Sequence, residues 1–269
     1  GGVFRCSRLL RHLDLLIDKM NQKSSSIQIL KSVQRVLTSD TYTGRATIPM
    51  LWDTKTGAVV SNESVQILRG LDVVRGKEAD QDWTLRPADL VSEIDTLAPE
   101  IQIGLSNAVY RAGKAQRQEI YDAAVHEVFG TLDHLEDRLS RTRYLHGSVL
   151  TETDLRLWPT LARFDAVYHG HFKCSRRRLT DYPNLWGYAR DIHGWCGVAA
   201  TLNEPAIRAA YYGEDREINP HGVVATAPET DWEAQHRRDA FGPAMVTLRD
   251  GTHVEVDPAV LSLSQAKIA

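Results

Sequence analysis

The chain has 269 residues, enough to bury a sizeable core in one large domain or two smaller ones. Its formal net charge is −3, which offers no basic footprint for nucleic acid or an anionic membrane surface. No apolar run is long enough to cross a bilayer and no secretory signal is visible, while three cysteines without a CxxC pair fit a reducing, cytoplasmic setting better than a disulfide framework.

Leu9, Leu10, Leu13, Leu15, Leu16 and Ile17, set among Arg and Lys, outline an amphipathic helix of imperfect period over residues 7–22. Lys23-Ser24-Ser25-Ser26 reads as a loop, residues 27–37 resume a helical spacing, and Thr41-Tyr42-Thr43-Gly44 is a turn. A strand pair comes next, around Pro49 and around Val59-Val60. Proline cannot donate a ladder hydrogen bond, so Pro49 belongs at a sheet edge or an irregularity. With a cis Ile48-Pro49 bond, the Ile48 backbone turns outward and can pair with an extended ligand. Ser61-Asn62-Glu63-Ser64 then opens a helix to Leu71, putting Glu63 and Ser64 where helix N–H groups point at an anion. Each half also has an ordinary structural reading, as a strand end and a helix start. Together they order a pocket for a small peptide-like ligand.

The charged stretch Arg75 to Arg86 reads as a linker. Beyond it, Leu90, Ile94, Leu97, Ile101 and Leu105 recur at spacings of three and four and mark one buried helical face, which Pro99 should kink. A second helix is expected over residues 116–139, with Ala124, Val128, Leu132, Leu135 and Leu139 on its inner face. Thr151 and Asp154 form a capping box, flanked by Leu150 and Leu155 as a hydrophobic staple, at the head of a central helix through Leu157, Leu161 and Phe164. Pro183 opens a further helix with Leu185, Tyr188 and Ile192. Residues 246–256 alternate around Asp250-Gly251, a β-hairpin signal.

Several of these segments resemble one family. They are the run from Tyr42 to Asp53, Val60-Ser61-Asn62-Glu63-Ser64, Val109-Tyr110-Arg111-Ala112-Gly113, Leu150 to Leu157, Arg163-Phe164-Asp165, Phe172-Lys173-Cys174, Tyr211-Tyr212-Gly213 and Ile218 to Gly222. In this order they resemble the glutathionyl-hydroquinone reductases, the Xi class of the glutathione transferase superfamily, over about Leu30 to Pro228. The resemblance implies an α/β plus all-α fold: an incomplete thioredoxin-like domain, then an all-helical C-terminal domain. The expected division is a partial glutathione-binding domain at 1–76, a helical domain at 87–228 and a tail with a β-hairpin at 229–269. It further implies a cytosolic homodimer that uses glutathione as co-substrate, without a metal, to reduce glutathionyl-hydroquinones. In that chemistry a cysteine attacks the substrate sulfur, hydroquinone leaves, and a second glutathione resolves the mixed disulfide. By position Ile48 and Pro49 would meet the glutathione backbone, and Glu63 and Ser64 its γ-glutamyl end. Tyr110 and Tyr211 would contact the hydroquinone ring and its hydroxyls; read without the family, each is an ordinary wall tyrosine.

One departure stands against these matches. The family's Cys-Pro-Trp-Ala motif is absent, and residues 1 to about 29 do not resemble the family's beginning. Either the chain is a fragment, its amino-terminal region has been replaced, or it is a non-catalytic binding or dimerisation relative. Cys6, in Arg5-Cys6-Ser7-Arg8, is the upstream cysteine and so the candidate nucleophile; its alternative is an ordinary cysteine. His169-Gly170-His171-Phe172-Lys173-Cys174 has ligand types for a metal but lacks a second well-spaced cluster. Lys173 with Arg176, Arg177 and Arg178 reads as a solvated basic loop, or else as an attractor of glutathione's carboxylates.

Overall fold

A computed structural model describes residues 49–53, 55, 58–78, 83–260 and 262–263. The helices expected over 7–22 and 27–37, the turn at 41–44, Cys6 and Ile48 lie outside the described residues. The chain divides into two compact units, one ending at Thr84 and one running on from Leu85.

In the first unit, β1 (Leu51–Asp53) pairs antiparallel with β2 (Ala58–Ser61). The register slips between Leu51 and Trp52, two residues after Pro49. Helix α1 (Ser64–Glu78) starts soon after, so the opening of the expected linker is helical instead. A short strand, β3 (Trp83–Thr84), returns to α1, where Thr84 Oγ1 donates to Asp72 Oδ2 at 2.7 Å.

The second unit is built on helices. Helix α2 (Val91–Ile101) buries Ile94, Leu97 and Ile101, the face expected from the spacing. Pro99 does not break the helix. The register is reset just beyond it by a π-turn over Gln102–Ser106, in which the Asn107 N–H reaches the Gln102 carbonyl at 2.8 Å. Helix α3 (Ala108–Gly113) continues, and α4 (Gln118–Leu139) packs back on it. All five expected inner-face residues of α4 are buried, together with Phe129. A buried leucine contributes roughly 1.5–3 kcal/mol over an exposed one, so this stripe fixes the face that α4 presents.

Helix α5 (Glu152–Arg163) starts at the expected capping box. Asp154 Oδ2 accepts from the Thr151 N–H and hydroxyl, both at 2.8 Å. Its Oδ1 accepts from the Leu145 N–H at 3.0 Å and the Tyr188 hydroxyl at 2.9 Å. Burial pushes this carboxyl up, and the Leu145 and Thr151 donors pull against that shift. A second π-turn, Phe164–Tyr168, extends α5, with the His169 N–H on the Phe164 carbonyl at 2.8 Å. Pro183 takes the first position of α6 (Pro183–His193), and α7 (Glu204–Glu214) has Asn203 as its cap.

The tail forms the expected hairpin. Strand β4 (Ala244–Leu248) pairs antiparallel with β5 (His253–Asp257), and β6 (Ser262–Leu263) adds to β5. Gly251 turns it with φ of +93°, a value few other residues adopt without strain. Residues 229–257 are bound into the helical unit. Met245 exchanges backbone hydrogen bonds with Ser148 and Leu150, both at 3.0 Å. Arg238 donates to the carbonyls of Leu139, Thr142 and Arg143. Arg143 in turn holds Asp191 through two bonds at 2.8 and 2.9 Å and donates to the Gly242 carbonyl. Among the described residues, no helix is long and apolar enough to cross a membrane.

Candidate functional site

The helical unit brings Tyr110 of α3 and Tyr211 of α7 together, 101 residues apart in sequence, with their hydroxyls 2.5 Å apart. A third residue, Tyr168, closes the group from the second π-turn, its hydroxyl 3.4 Å from that of Tyr211. Phe172 forms the floor. It stacks on Tyr168 at 5.5 Å between centroids and meets Tyr110 edge-on at 5.1 Å and Tyr211 at 5.8 Å. Tyr168 and Phe172 are buried, whereas Tyr110 is 39% exposed, so the cluster opens to solvent along one edge.

Each tyrosine is placed by its own element. Both π-turns lie beside the cluster: one precedes the helix that carries Tyr110, the other contains Tyr168. Their helices are tied by the Ser106 and Thr160 hydroxyls at 2.9 Å. A π-turn inserts one residue and rotates the chain beyond it, which re-aims side chains that regular helices would turn elsewhere. Phe172 fits because position 113 is glycine: a Cβ there would lie 2.8 Å from Phe172 Cβ and closer still to the ring.

The electrostatics keep the Tyr110 and Tyr168 hydroxyls protonated. Burial raises the Tyr110 phenol well above the usual range, and the neighbouring Tyr211 adds to it. Burial does the same for Tyr168, supported by Tyr211 and Tyr110, with Arg163 pulling weakly the other way. At neutral pH Tyr110 and Tyr168 are therefore hydrogen-bond donors as well as acceptors. Three hydroxyls over an aromatic floor suit a flat ring carrying oxygen substituents.

Of the other expected residues, Pro49, Glu63 and Ser64 belong to the first unit. Glu63 and Ser64 are exposed at the start of α1, where the Ile67 N–H bonds the Glu63 carbonyl at 3.0 Å. The Glu63 N–H donates to Ser61 Oγ at 3.1 Å, and Pro49 is exposed just ahead of β1. Of the basic run, Arg176 and Arg177 contact Asp133 at 3.3 and 3.6 Å. Cys174 is buried with its thiol pushed up to about 12 by that burial, an inert sulfur at neutral pH. Among the described residues no group of three His, Cys, Asp or Glu side chains is arranged to hold a metal.

Sequence reasoning missed Tyr168 and the floor residue Phe172. Phe164, Tyr168 and Phe172 recur every four residues, a helical stripe that was there to be read.

Comparison with known proteins identifies the family and the fold. Residues 118–191 match the family model described as glutathione S-transferase, C-terminal domain. The glutathionyl-hydroquinone reductase YqjG of Escherichia coli K12 is 45% identical over 206 residues, covering 75% of this chain and 62% of that protein. The chain thus spans less than two thirds of that relative's length. The glutathione-bound structure of YqjG superposes with a TM-score of 0.74 at 43% identity, covering 78% of this chain and 68% of that one. A Xi class transferase from Natrialba magadii gives a TM-score of 0.71 at 42% identity, covering 73% and 61%. The fold is accordingly that of a glutathione transferase, a small α/β part followed by a helical domain. With this order of motifs and this degree of identity, the chain belongs to the Xi class of the glutathione transferases.

Proposed function

We propose that the protein reduces glutathionyl-hydroquinones to hydroquinones at the expense of glutathione. The observation that carries this reading is the cluster of Tyr110, Tyr168 and Tyr211 hydroxyls over Phe172, in a chain 45% identical to a protein named for that reaction. Protonated tyrosines can donate to both hydroquinone oxygens while the rings meet its faces.

In the reaction a cysteine thiolate attacks the glutathionyl sulfur of the substrate. The carbon–sulfur bond breaks, its electron pair stays on the ring, and a proton completes the hydroquinone. Glutathione thiolate then attacks the Cys–S–SG disulfide, which frees the cysteine thiolate and releases oxidised glutathione. Overall, one glutathionyl-hydroquinone and one glutathione give one hydroquinone and one oxidised glutathione. Ile48 and Pro49 take the tripeptide backbone in this reading. Glu63 and Ser64 hold the γ-glutamyl end, with the α1 N–H groups favouring its carboxylate. Cys6 is the nucleophile candidate. The working form is a cytoplasmic homodimer.

The test is release of hydroquinone from a glutathionyl-hydroquinone under reducing conditions, with oxidised glutathione formed one for one. Cys6→Ala should fall to background; unchanged activity would clear Cys6 of the role. Tyr110→Phe should lower kcat/KM about tenfold, the equivalent of one lost hydrogen bond to substrate. No release by the native chain would overturn the enzyme reading. A second reading is favoured by the missing Pro and Trp after Cys6: a glutathione-binding or dimerisation protein without turnover. It requires glutathione binding by calorimetry with no hydroquinone formed.

A further inference from the structure

Behind the tyrosine cluster, one carboxylate joins all three elements that build it. Asp215 caps the C-terminus of α7 and lies four residues beyond Tyr211, its N–H on the Tyr211 carbonyl at 3.2 Å. Lys114 caps α3 in the same relation to Tyr110, its N–H on the Tyr110 carbonyl at 3.0 Å. His171 lies just past the π-turn that carries Tyr168, its N–H on the Val167 carbonyl at 2.7 Å. Asp215 Oδ2 is 4.0 Å from Lys114 Nζ and 3.9 Å from His171 Nε2.

This arrangement runs against local preference. A carboxylate at a helix C-terminus faces the negative end of the helix dipole, which costs about 0.3–1 kcal/mol. The His171 side chain is 2% exposed, and its Nε2 has no hydrogen-bond partner among the described residues. Its ring lies 4.6 Å from that of Tyr212 and stacks on Phe172 at 5.3 Å, so it touches both α7 and the floor of the cluster. A locally unfavourable charge beside an unsatisfied buried ring calls for an explanation in the site that it adjoins.

We propose that Asp215 is the positioning residue of the tyrosine cluster, drawing in the ends of the Tyr110 and Tyr168 elements through Lys114 and His171. It touches no substrate; it sets the separation of the hydroxyls that do. The inference rests on the ring-binding role given above to the tyrosines.

The experiment uses the full chain labelled with 3-fluorotyrosine, its fluorine resonances assigned by single Tyr→Phe changes. Asp215→Asn should shift the resonances of Tyr110, Tyr168 and Tyr211 and leave Tyr144 and Tyr188, buried elsewhere, in place. His171→Gln should move the same three, and Asp215→Glu should restore them towards the native positions. In the hydroquinone-release assay Asp215→Asn should cost about tenfold in kcat/KM, most of it in KM, as misplacement of binding groups predicts. Movement of the Tyr211 resonance alone, of none, or of Tyr144 and Tyr188 as well would overturn the proposal. A native chain that releases no hydroquinone overturns the reductase reading alone, because the fluorine shifts still decide the role of Asp215.

Discussion

Asp154→Ala is expected to lower unfolding stability by about 3–5 kcal/mol in urea titration, the loss typical of a broken buried polar network. The carboxylate is completely buried and accepts four hydrogen bonds, from two groups of Thr151, from Leu145 and from Tyr188. Alanine would leave the Leu145 and Thr151 N–H groups and the Tyr188 hydroxyl without an acceptor and without water, each costing about 1–3 kcal/mol unless the chain relaxes. The three donors come from the loop before α5, its cap and helix α6, so one side chain joins three segments. Asp154→Asn keeps one acceptor oxygen and should fall between alanine and the native chain. A loss below about 1 kcal/mol for alanine would mean that these donors find other partners.

The second large effect is expected at Gly113. An alanine Cβ would lie 2.8 Å from Phe172 Cβ, a separation that packed side chains do not tolerate. Phe172 is fully buried and cannot swing away, so either α3 or the aromatic floor must move. Overpacking of this kind costs about 1–3 kcal/mol. Because Phe172 contacts Tyr168, Tyr110 and Tyr211, the displacement should also lower kcat/KM for hydroquinone release about a hundredfold. Thermal unfolding and the release assay measure the two effects separately. Adding Phe172→Leu to Gly113→Ala should recover stability but not activity. Native-like activity in Gly113→Ala alone would show that the floor does not govern the tyrosines.

What could be read from the chain depended on the range of the forces involved. The buried faces of α2 and α4 come from spacing alone, since a helix repeats its inner positions every three or four residues. The Thr151–Asp154 box and the Asp250-Gly251 hairpin are likewise local, set by capping and by a turn that needs positive φ. Pro99 marks an irregularity in the sequence, but its missing N–H does not announce the π-turn that resets the register beyond it. The polar composition of residues 75–78 masked the last turn of α1. In the site, Tyr110 and Tyr211 were marked by their motifs. The spacing of Tyr168 marks it only as one of a stripe, and the register shift that aims it at the other hydroxyls has no sequence period. That Asp154 also holds Leu145 and Tyr188, and that Asp215 faces both Lys114 and His171, are long-range facts that depend on the finished packing.

The seam between Met245 and residues 148–150 bears on the order in which the molecule is made. Ser148 and Leu150 leave the ribosome about a hundred residues before the strand that pairs with them. Until β4 emerges, the entry to α5 has an unpaired flank, and Arg143 lacks its carbonyl partner at Gly242. At ordinary elongation rates of roughly 5–20 residues per second, that interval lasts several seconds. The capping box can form early, since Thr151 and Asp154 are neighbours, so the nascent helix has its own start before the closing strand arrives. The hairpin is thus the last part of this seam to be synthesised, and a stalled chain ending before residue 244 would lack the strand that covers it.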